Sequence, residues 1–321
     1  MARLMPIEIR TFQGNHDMRD VHDLWQESFG DSFPIDLELL FRVLTEYDSY
    51  VPGDYFVAFI SGQLIGFVST QSNHINGRIQ SLVVHPLFRN NGVGSLLLRS
   101  ALEHLQERGV SKVQLGGGVS RIWPGVPMIL PAAKKFFESR GWHFSESSFD
   151  LVLDLKNYET PQWVYQRIQE NGIELSVGNR LDAADVLEFE SSEHPNWINA
   201  FKFVLNNQDY NDVLIAREGK EIVGTLLMFS KASHCPSSNF VWRRILGSDM
   251  GGIGVVGVKK SEYGKGIGMA MVATAAEILK ERGVGNCTAC WTWLVDWYGK
   301  LGFKQWHKYQ MSWMEFDNIN N

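Results

Sequence analysis

Two stretches of this chain combine residue types and spacings suited to holding a phosphorylated ligand. In the first, Val83 and Val84 lead through His85 to Arg89, Asn90, Asn91, Gly92, Val93 and Gly94. In the second, Val256, Gly257 and Val258 lead to Tyr263, Gly264, Lys265, Gly266, Ile267 and Gly268. Glycine has no Cβ, so a glycine-rich turn can curl and aim successive backbone N–H groups at an anion. Helical apolar spacing starts at the glycines, with Val93, Leu97, Ala101 and Leu105 in one case and Ile267, Met271 and Ala275 in the other. Each turn would therefore carry the positive end of a helix dipole behind the same anion. The chemistry encoded is a pyrophosphate cradle. It is not a P-loop, because the Lys and Ser or Thr that should follow the glycines are absent.

Both stretches belong to an internal repeat. Glu107, Arg108, Gly109 and Val110 recur 174 residues later as Glu281, Arg282, Gly283 and Val284, and the same offset carries Gly92 and Gly94 onto Gly266 and Gly268. Downstream, the segment from Phe136 through Gly141 to Trp142 matches Trp297 through Gly302 to Phe303 at an offset of 161. The difference of 13 residues places an insertion in the first half near 121–131, where Trp123, Pro124, Gly125, Val126 and Pro127 read as a rigid loop. Units of about 150 residues far exceed a solenoid repeat of roughly 20–45. The chain is read as a diverged tandem duplication with domains 1–156 and 157–321, since 157–161 has turn chemistry and precedes an amphipathic segment at 163–168.

The elements that must position the turns follow from periodicity. The first half predicts strands at 7–12, Tyr55–Ile60, 64–70, 79–84, Lys112–Leu115 and a run ending at 155, with Ser61 and Gly62 in a hairpin turn. Helices are predicted at Met18–Phe29, 37–47, from the first glycine turn, and at 132–139. The second half repeats this with strands at 174–177, 213–217, 222–229, 253–258, 287–293 and 304–313, and helices at 183–190, from Gly266, and at 295–300. Strands and helices in this order define an α/β or α+β domain.

The combination Arg89-x-x-Gly92-x-Gly94 on a strand-to-helix turn, followed by a helix and an FFxxxGW segment, resembles the acetyl-CoA-binding core of the GNAT N-acetyltransferase superfamily. The second half resembles it too, with Tyr263 to Gly268 in the loop and Trp297 to Phe303 close to the family's FYxKxGF segment. The resemblance covers nearly the whole chain and implies two tandem domains, each with a mixed, mostly antiparallel sheet splayed between its fourth and fifth strands and flanked by helices. It implies a pantetheine arm in each wedge, along 79–84 or 253–258. Backbone N–H groups near Val256 to Val258 would stabilise the oxyanion. It also implies acetyl-CoA as cosubstrate, no metal, and a small-molecule amine as acceptor, an amino sugar being the first choice. Nucleic acid and membrane are not expected partners, and the chain would be a monomer with internal pseudo-symmetry or a homodimer.

The halves depart from the family pattern in opposite ways. Counting back four from Gly141 and from Gly302 gives Phe137 and Tyr298, so the first half lacks the family's frequent catalytic tyrosine and the second has it. The second half in turn carries Tyr263 where the family usually has Arg or Gln, and Lys265 would restore the charge. With a phenol pKa of about 10 against about 8.5 for a thiol, Tyr298 would hydrogen-bond the developing CoA thiolate rather than surrender its proton outright. Catalysis is therefore expected in the second half, through Tyr298 and the Val256 N–H. Glu190, Glu193 and His194 lie where the family often shapes its acceptor site, and the stretch 230–251, with Phe240, Trp242, Arg243, Arg244 and Asp249, resembles an acceptor-binding loop. A non-catalytic acyl-CoA-binding or regulatory protein is the competing reading, because each half lacks one expected residue.

Composition narrows the classes further. Of 321 residues, 44% are apolar and 21% charged, which fits a globular chain and excludes a disordered tail protein. A net charge of −6 without a long basic run argues against nucleic acid. The longest unbroken apolar run, Tyr55–Ile60, is far short of the roughly 18 residues of a membrane span, and 1–10 has no signal-peptide core, so a cytoplasmic protein is expected. Three cysteines are too few for a disulfide scaffold. Gly252 to Gly257 matches GxGxxG with Glu277 twenty residues on, but a dinucleotide fingerprint needs a helix opening within the glycines, and this stretch reads as strand. Cys287 and Cys290, three apart on a predicted strand, would face opposite sides and form no metal or disulfide pair.

Overall fold

A computed structural model of the chain describes residues 6–45, 51–73, 75–118, 121–234 and 241–316. Its elements begin with β1 (Glu8–Thr11), α1 (Met18–Phe29), α2 (Leu37–Thr45), β2 (Tyr55–Ile60), β3 (Gln63–Asn73) and β4 (Asn76–Val84). There follow α3 (Val93–Glu107), β5 (Lys112–Leu115), β6 (Val126–Pro127), α4 (Pro131–Glu138) and β7 (His143–Asp154). The remainder comprises α5 (Gln162–Glu170), β8 (Ile173–Val177), α6 (Ala183–Glu193), α7 (Ile198–Asn206), β9 (Val213–Glu218), β10 (Glu221–Phe229) and α8 (Arg243–Leu246). The last elements are β11 (Gly251–Val258), α9 (Ile267–Glu281), β12 (Asn286–Thr292), α10 (Val295–Gly299) and β13 (Lys304–Glu315).

Two compact units result. The first is drawn from Met1–Ser148, Pro236–Ile245 and Lys308–Asn321, the second from Phe149–Cys235 and Leu246–His307. In the first, the strands run in the order β1, β2, β3, β4, β5, and then the end of β13, with Trp313 opposite Gln114. The short β6 also pairs with β13, so the predicted rigid loop contains a two-residue strand. In the second unit the order is β8, β9, β10, β11, β12, and then the 149–154 end of β7, with Leu153 opposite Cys287. Within each unit, then, the strand beside the fifth one comes from the other half of the sequence.

The hairpin β2–β3 turns on Ser61 and Gly62, both left-handed at φ 51° and 80°, as a two-residue turn of this twist requires. Helix α3 buries Val93, Leu97, Leu98, Ala101 and Leu105, a stripe at helical spacing, on the sheet. The approach is close at Gly66 of β3, where a methyl group would lie 2.7 Å from Leu97 Cδ1. Burying each such leucine contributes roughly 1.5–3 kcal/mol. The last turn of α3 is tied to the start of β2 by Asp54, 1% exposed, which accepts from His104 Nε2 and Arg108 Nη1, both at 2.9 Å. Replacing Asp54 by Ala strands two donors, and a loss of about 3 kcal/mol is expected, read as a lower urea midpoint at unchanged slope.

In the second unit α9 is buried along most of its length, including Ile267, Met271, Val272, Ala275 and Leu279. Helix α5 packs beside it, and the Tyr165 hydroxyl donates to Glu277. That occupation of Glu277, with β11 running as strand through Gly252 to Gly257, leaves no dinucleotide fingerprint.

Both sheets are splayed, as the resemblance implied. Parallel pairing of β4 with β5 spans only Asn76 to Ile79, and that of β11 with β12 only Gly251 to Ile253. Beyond those residues the strands part, opening a wedge beside Val83 and Val84 in one unit and beside Val256 to Val258 in the other.

Candidate active site

The second unit assembles its site around a defect in β11. Opposite it on β10, Thr225 faces Gly257 and Leu227 faces Gly254, so one residue of β10 spans two of β11. The extra residue makes a bulge at Val255 and Val256, and Val255 sits at φ 46°. A β-branched side chain in the left-handed region costs of order 1–2 kcal/mol, and such strain collects where backbone geometry serves a ligand. The bulge withdraws Val255 and Val256 from the regular ladder beside the open wedge. In the first unit β4 also shifts register, between Ser69 and Thr70 of its partner, but without a left-handed residue.

After β11 the chain makes one turn of 3-10 helix, Lys260–Glu262, and enters the glycine turn. Gly264 and Gly266 have φ 89° and 84°, conformations only glycine adopts without strain. Gly266 caps α9 with no side-chain hydrogen bond, and the first helical acceptor, the Gly266 carbonyl, serves the N–H of Ala270. The N–H groups of Ile267 and Gly268 therefore start the helix without intrahelical acceptors. The first unit repeats this with Gly92 at φ 85° capping α3 and Asn90 at φ 64°. Arg89 there donates through Nε to the Val84 carbonyl at 3.0 Å, and Asn91 is exposed in the same turn. Gly94 faces Phe136, which a methyl group would approach to 3.2 Å. In the second unit Lys265 is paired with Glu262, and with Glu218 at 3.6 Å, while Tyr263 is 66% exposed. The Lys265 charge is thus shared with two carboxylates, and backbone N–H groups must supply most of the grip on a phosphate.

Tyr298 lies on α10, 7% exposed, edge-on to Trp297 at 4.8 Å and Phe303 at 5.3 Å. It belongs to the apolar cluster against which Val256, Val258 and Trp297 pack. Burial, reinforced by Cys287 and Cys290, pushes its phenol far above the ordinary value, so it is a hydrogen-bond donor at every working pH. Phe137 holds the matching place on α4, edge-on to Phe136 and Trp142. Each precedes by four a glycine with positive φ, Gly141 at 84° or Gly302 at 90°.

Two titratable groups with shifted pKa values come from the end of α6, Glu190 within the helix and His194 at its C-cap. Glu190 is fully buried and accepts from the Thr225 hydroxyl, and burial pushes its carboxyl up to about 7 against that hydrogen bond. His194 follows the end of the helix, stacked on Trp197 at 4.9 Å and edge-on to Phe189. Its ring rests on Gly257: a methyl group there would lie 2.6 Å from Cδ2 and 2.7 Å from Nε2. Burial lowers its pKa, opposed by Glu193 and the Val258 backbone. Glu193 is only half-buried and accepts from the Lys260 N–H at 3.4 Å. Thus Glu190 reaches the residue opposite Gly257, and His194 touches Gly257 itself. Sequence reasoning did not find Thr225 or Trp197, which carry no motif and acquire a role only through contact.

The two glycine turns and their strands fall in separate units, the residues from Val83 to Gly94 in the first and those from Val256 to Tyr298 in the second. Within the stretch 230–251 expected to bind the acceptor, Trp242 is buried against Phe33 and Arg243 pairs with Asp36 and Glu38, all within the first unit, whereas 230–235 and 246–251 belong to the second. Arg244 joins Asp36 at 3.8 Å, Asp249 accepts through its carbonyl from the Gly285 N–H, and Phe240 lies outside the described residues. Cys287 is buried and its thiol pushed far up by burial, while Cys290 is half-buried. Among the described residues no helix is long and apolar enough to cross a membrane, and no group of His, Cys, Asp and Glu is placed to hold a metal.

A strand bulge beside a splayed wedge, followed by a helix capped by left-handed glycine, occurs here in a chain whose residues 18–122 and 181–303 match the model of the acetyltransferase (GNAT) family. The chain belongs to that family, which places it among the acyltransferases. Among solved structures it is similar to the GCN5-related glucosamine N-acetyltransferase region of a fungal multi-domain GH3 β-N-acetylglucosaminidase, with 28% identity and a TM-score of 0.91. That match covers 98% of this chain and 38% of the other, so the chain spans well under half of that protein's length. A GCN5-related N-acetyltransferase from Sphaerobacter thermophilus matches at 18% identity and TM-score 0.72, covering 97% and 96% of the two chains. A tandem GNAT protein from the clavulanic acid biosynthesis pathway matches at 15% and 0.65, covering 97% and 98%. These last two show the tandem fold alone. No curated protein matches the chain.

Proposed function

We propose that the chain moves an acetyl group from acetyl-CoA to the primary amine of a small molecule, with the chemistry in the second unit. The observation that carries this reading is the His194 ring lying on Gly257, one residue past the bulge at Val255 and Val256. An amino sugar is the first acceptor to try, on the likeness to the glucosamine N-acetyltransferase region. The repeats are taken as 1–156 and 157–321, and a cytoplasmic setting agrees with the free thiols of Cys287 and Cys290.

The residues present fit the cosubstrate: Gly264 and Gly266 are left-handed, nothing lies within 4 Å of where a Gly264 side chain would be, and the helix start is uncapped. Backbone N–H groups from Gly264 to Gly268 would hold the pyrophosphate, and acetyl-CoA would supply an activated thioester. His194, kept neutral by burial, takes the proton of the attacking amine. The Val256 N–H, released from the ladder, is assigned to the oxygen on which charge develops. Tyr298 donates its hydrogen bond to the departing sulfur. Transfer is direct, because the buried Cys287 remains a thiol and is no nucleophile.

Release of free CoA thiol, followed with glucosamine and a panel of primary amines, tests this. At least one amine is expected to drive thiol release. Tyr298→Phe is expected to lower kcat by about tenfold to a hundredfold with KM little changed, whereas Phe137→Tyr leaves turnover as in the wild type. If no amine stimulates release while CoA still raises the melting temperature, the protein binds acyl-CoA without catalysis. An unimpaired Tyr298→Phe variant removes Tyr298 from the mechanism.

A further inference from the structure

The first unit contains a group of buried and half-buried polar side chains that nothing in the acetyl-transfer reading uses. They surround the turn after β5, where Gly116, Gly117 and Gly118 are all left-handed, at φ 71°, 82° and 97°. A methyl group on Gly118 would lie 2.8 Å from Gln71 Oε1, 3.6 Å from Gln80 Nε2 and 3.8 Å from Arg78 Cδ. One on Gly117 would meet Gln114 Nε2 at 2.8 Å, and Arg121 donates to the Gly118 carbonyl at 3.0 Å. So strands β3, β4 and β5 and the glycine turn converge on one spot.

Its chemistry is one-sided. Among the described residues Arg78 has no ion pair, and the charge it senses is another cation, Arg121; burial and that neighbour lower its pKa. Arg78 Nε and Gln114 Nε2 are buried donors with no acceptor among the described residues, and Gln71 Oε1 is the accompanying acceptor. A desolvated guanidinium without a counterion costs several kcal/mol, and a buried donor without an acceptor costs about 1–3 kcal/mol. Proteins keep such arrangements where a ligand supplies the missing charge. The feature is private to this unit. At the repeat offset of 174, Gly252, Gly254 and Thr288 stand where the first half has Arg78, Gln80 and Gln114. Register agrees, since Gly77 pairs with Val113 and Gly251 with Cys287.

We infer that the cluster of polar side chains around Gly118 binds a small molecule through an oxyanion, a carboxylate or a phosphate, gripped by the guanidinium of Arg78 beside that of Arg121. Carboxylate and phosphate both accept the planar fork of an arginine, and the amides of Gln80 and Gln114 add donors around it. The first unit then recognises an acidic ligand, whereas the second, with a glycine floor at the same place, takes an amine.

The test is calorimetric titration of the full chain, saturated with CoA so that both glycine turns are occupied, with succinate in one arm and inorganic phosphate in the other. One arm is expected to give saturable binding, and its identity names the anion. Arg78→Met is expected to weaken that binding at least about tenfold, the effect of losing a charged hydrogen bond, while the CoA-induced rise in melting temperature stays as in the wild type. In parallel, phenylglyoxal labelling of Arg78 in the wild type, read by mass spectrometry, is expected to slow in the presence of the binding anion. The proposal fails if neither anion saturates, if Arg78→Met binds as tightly as wild type, or if Arg78 labelling is unprotected. None of these outcomes bears on thiol release by the second unit.

Discussion

Gly257→Ala is expected to reduce turnover by about a hundredfold or more while leaving the protein folded and able to take up CoA. The added methyl would stand 2.6 Å from His194 Cδ2 and 2.7 Å from Nε2, distances that real contacts do not reach, so the ring must move. It cannot move freely, since Trp197 is stacked on it and Phe189 meets it edge-on. A positioned general base contributes about 10²–10⁴, and displacement by about 1 Å forfeits much of that. The backbone is not the obstacle, because Gly257 is absent from the left-handed glycines. His194→Ala should therefore lose as much, and the double variant no more than His194→Ala alone, since both act through one imidazole. Thiol-release rates for the three variants decide it. A Gly257→Ala enzyme within about threefold of wild type would sink the role given to His194.

The second large effect concerns stability. Glu190 is fully buried and its carboxyl is raised from 4.5 to about 7 in the folded chain. Between those values the folded state holds a proton that the unfolded state has lost, so stability falls as pH rises from 4.5 through 7. Above that range the folded protein carries a buried carboxylate with one hydrogen bond, from Thr225. Glu190→Gln keeps an acceptor for Thr225 and cannot ionise. It should be more stable than wild type by about 3 kcal/mol at pH 8, with the gap closing toward pH 4.5. Urea midpoints measured across that range provide the check, and a gap that does not change with pH would refute it. The same variant separates the two candidates for the base. If Glu190 accepted the proton, Glu190→Gln would erase an acidic limb near pH 7; with His194 as base, a limb below the ordinary histidine value persists.

Elements whose signal is local were legible in the sequence. Helix Met18–Phe29 and strands Tyr55–Ile60 and Lys112–Leu115 coincide with their expected bounds, because apolar spacing and flanking turns are written within one window. Helix Ile198–Asn206 lies outside every predicted element: it follows Pro195 and Trp197 directly, beyond the residues Glu190, Glu193 and His194 singled out before it. The glycine turns were visible because left-handed backbone selects glycine. The bulge was not, because Val255 is a strand-former held in a conformation its type disfavours. Nor was the site's centre, since His194 and Gly257 meet only after β10, β11 and α6 have packed. In the stretch 230–251, expected to be an acceptor-binding loop, the contacts of Trp242 with Phe33 and of Arg243 with Asp36 carry no local signal, because their partners lie far earlier in the sequence.

The terminal strands bear on how this duplication can evolve. The first unit is completed by Trp313 to Glu315 and the second by Phe149 to Asp154, each strand encoded in the opposite copy. A gene copy that loses its chemistry is ordinarily free to erode or be deleted. Here deletion of either copy would remove the last strand from the survivor's sheet and expose the edge of β5 or β12 to aggregation. Phe137 can therefore stand where the other copy has Tyr298 without the first copy becoming dispensable.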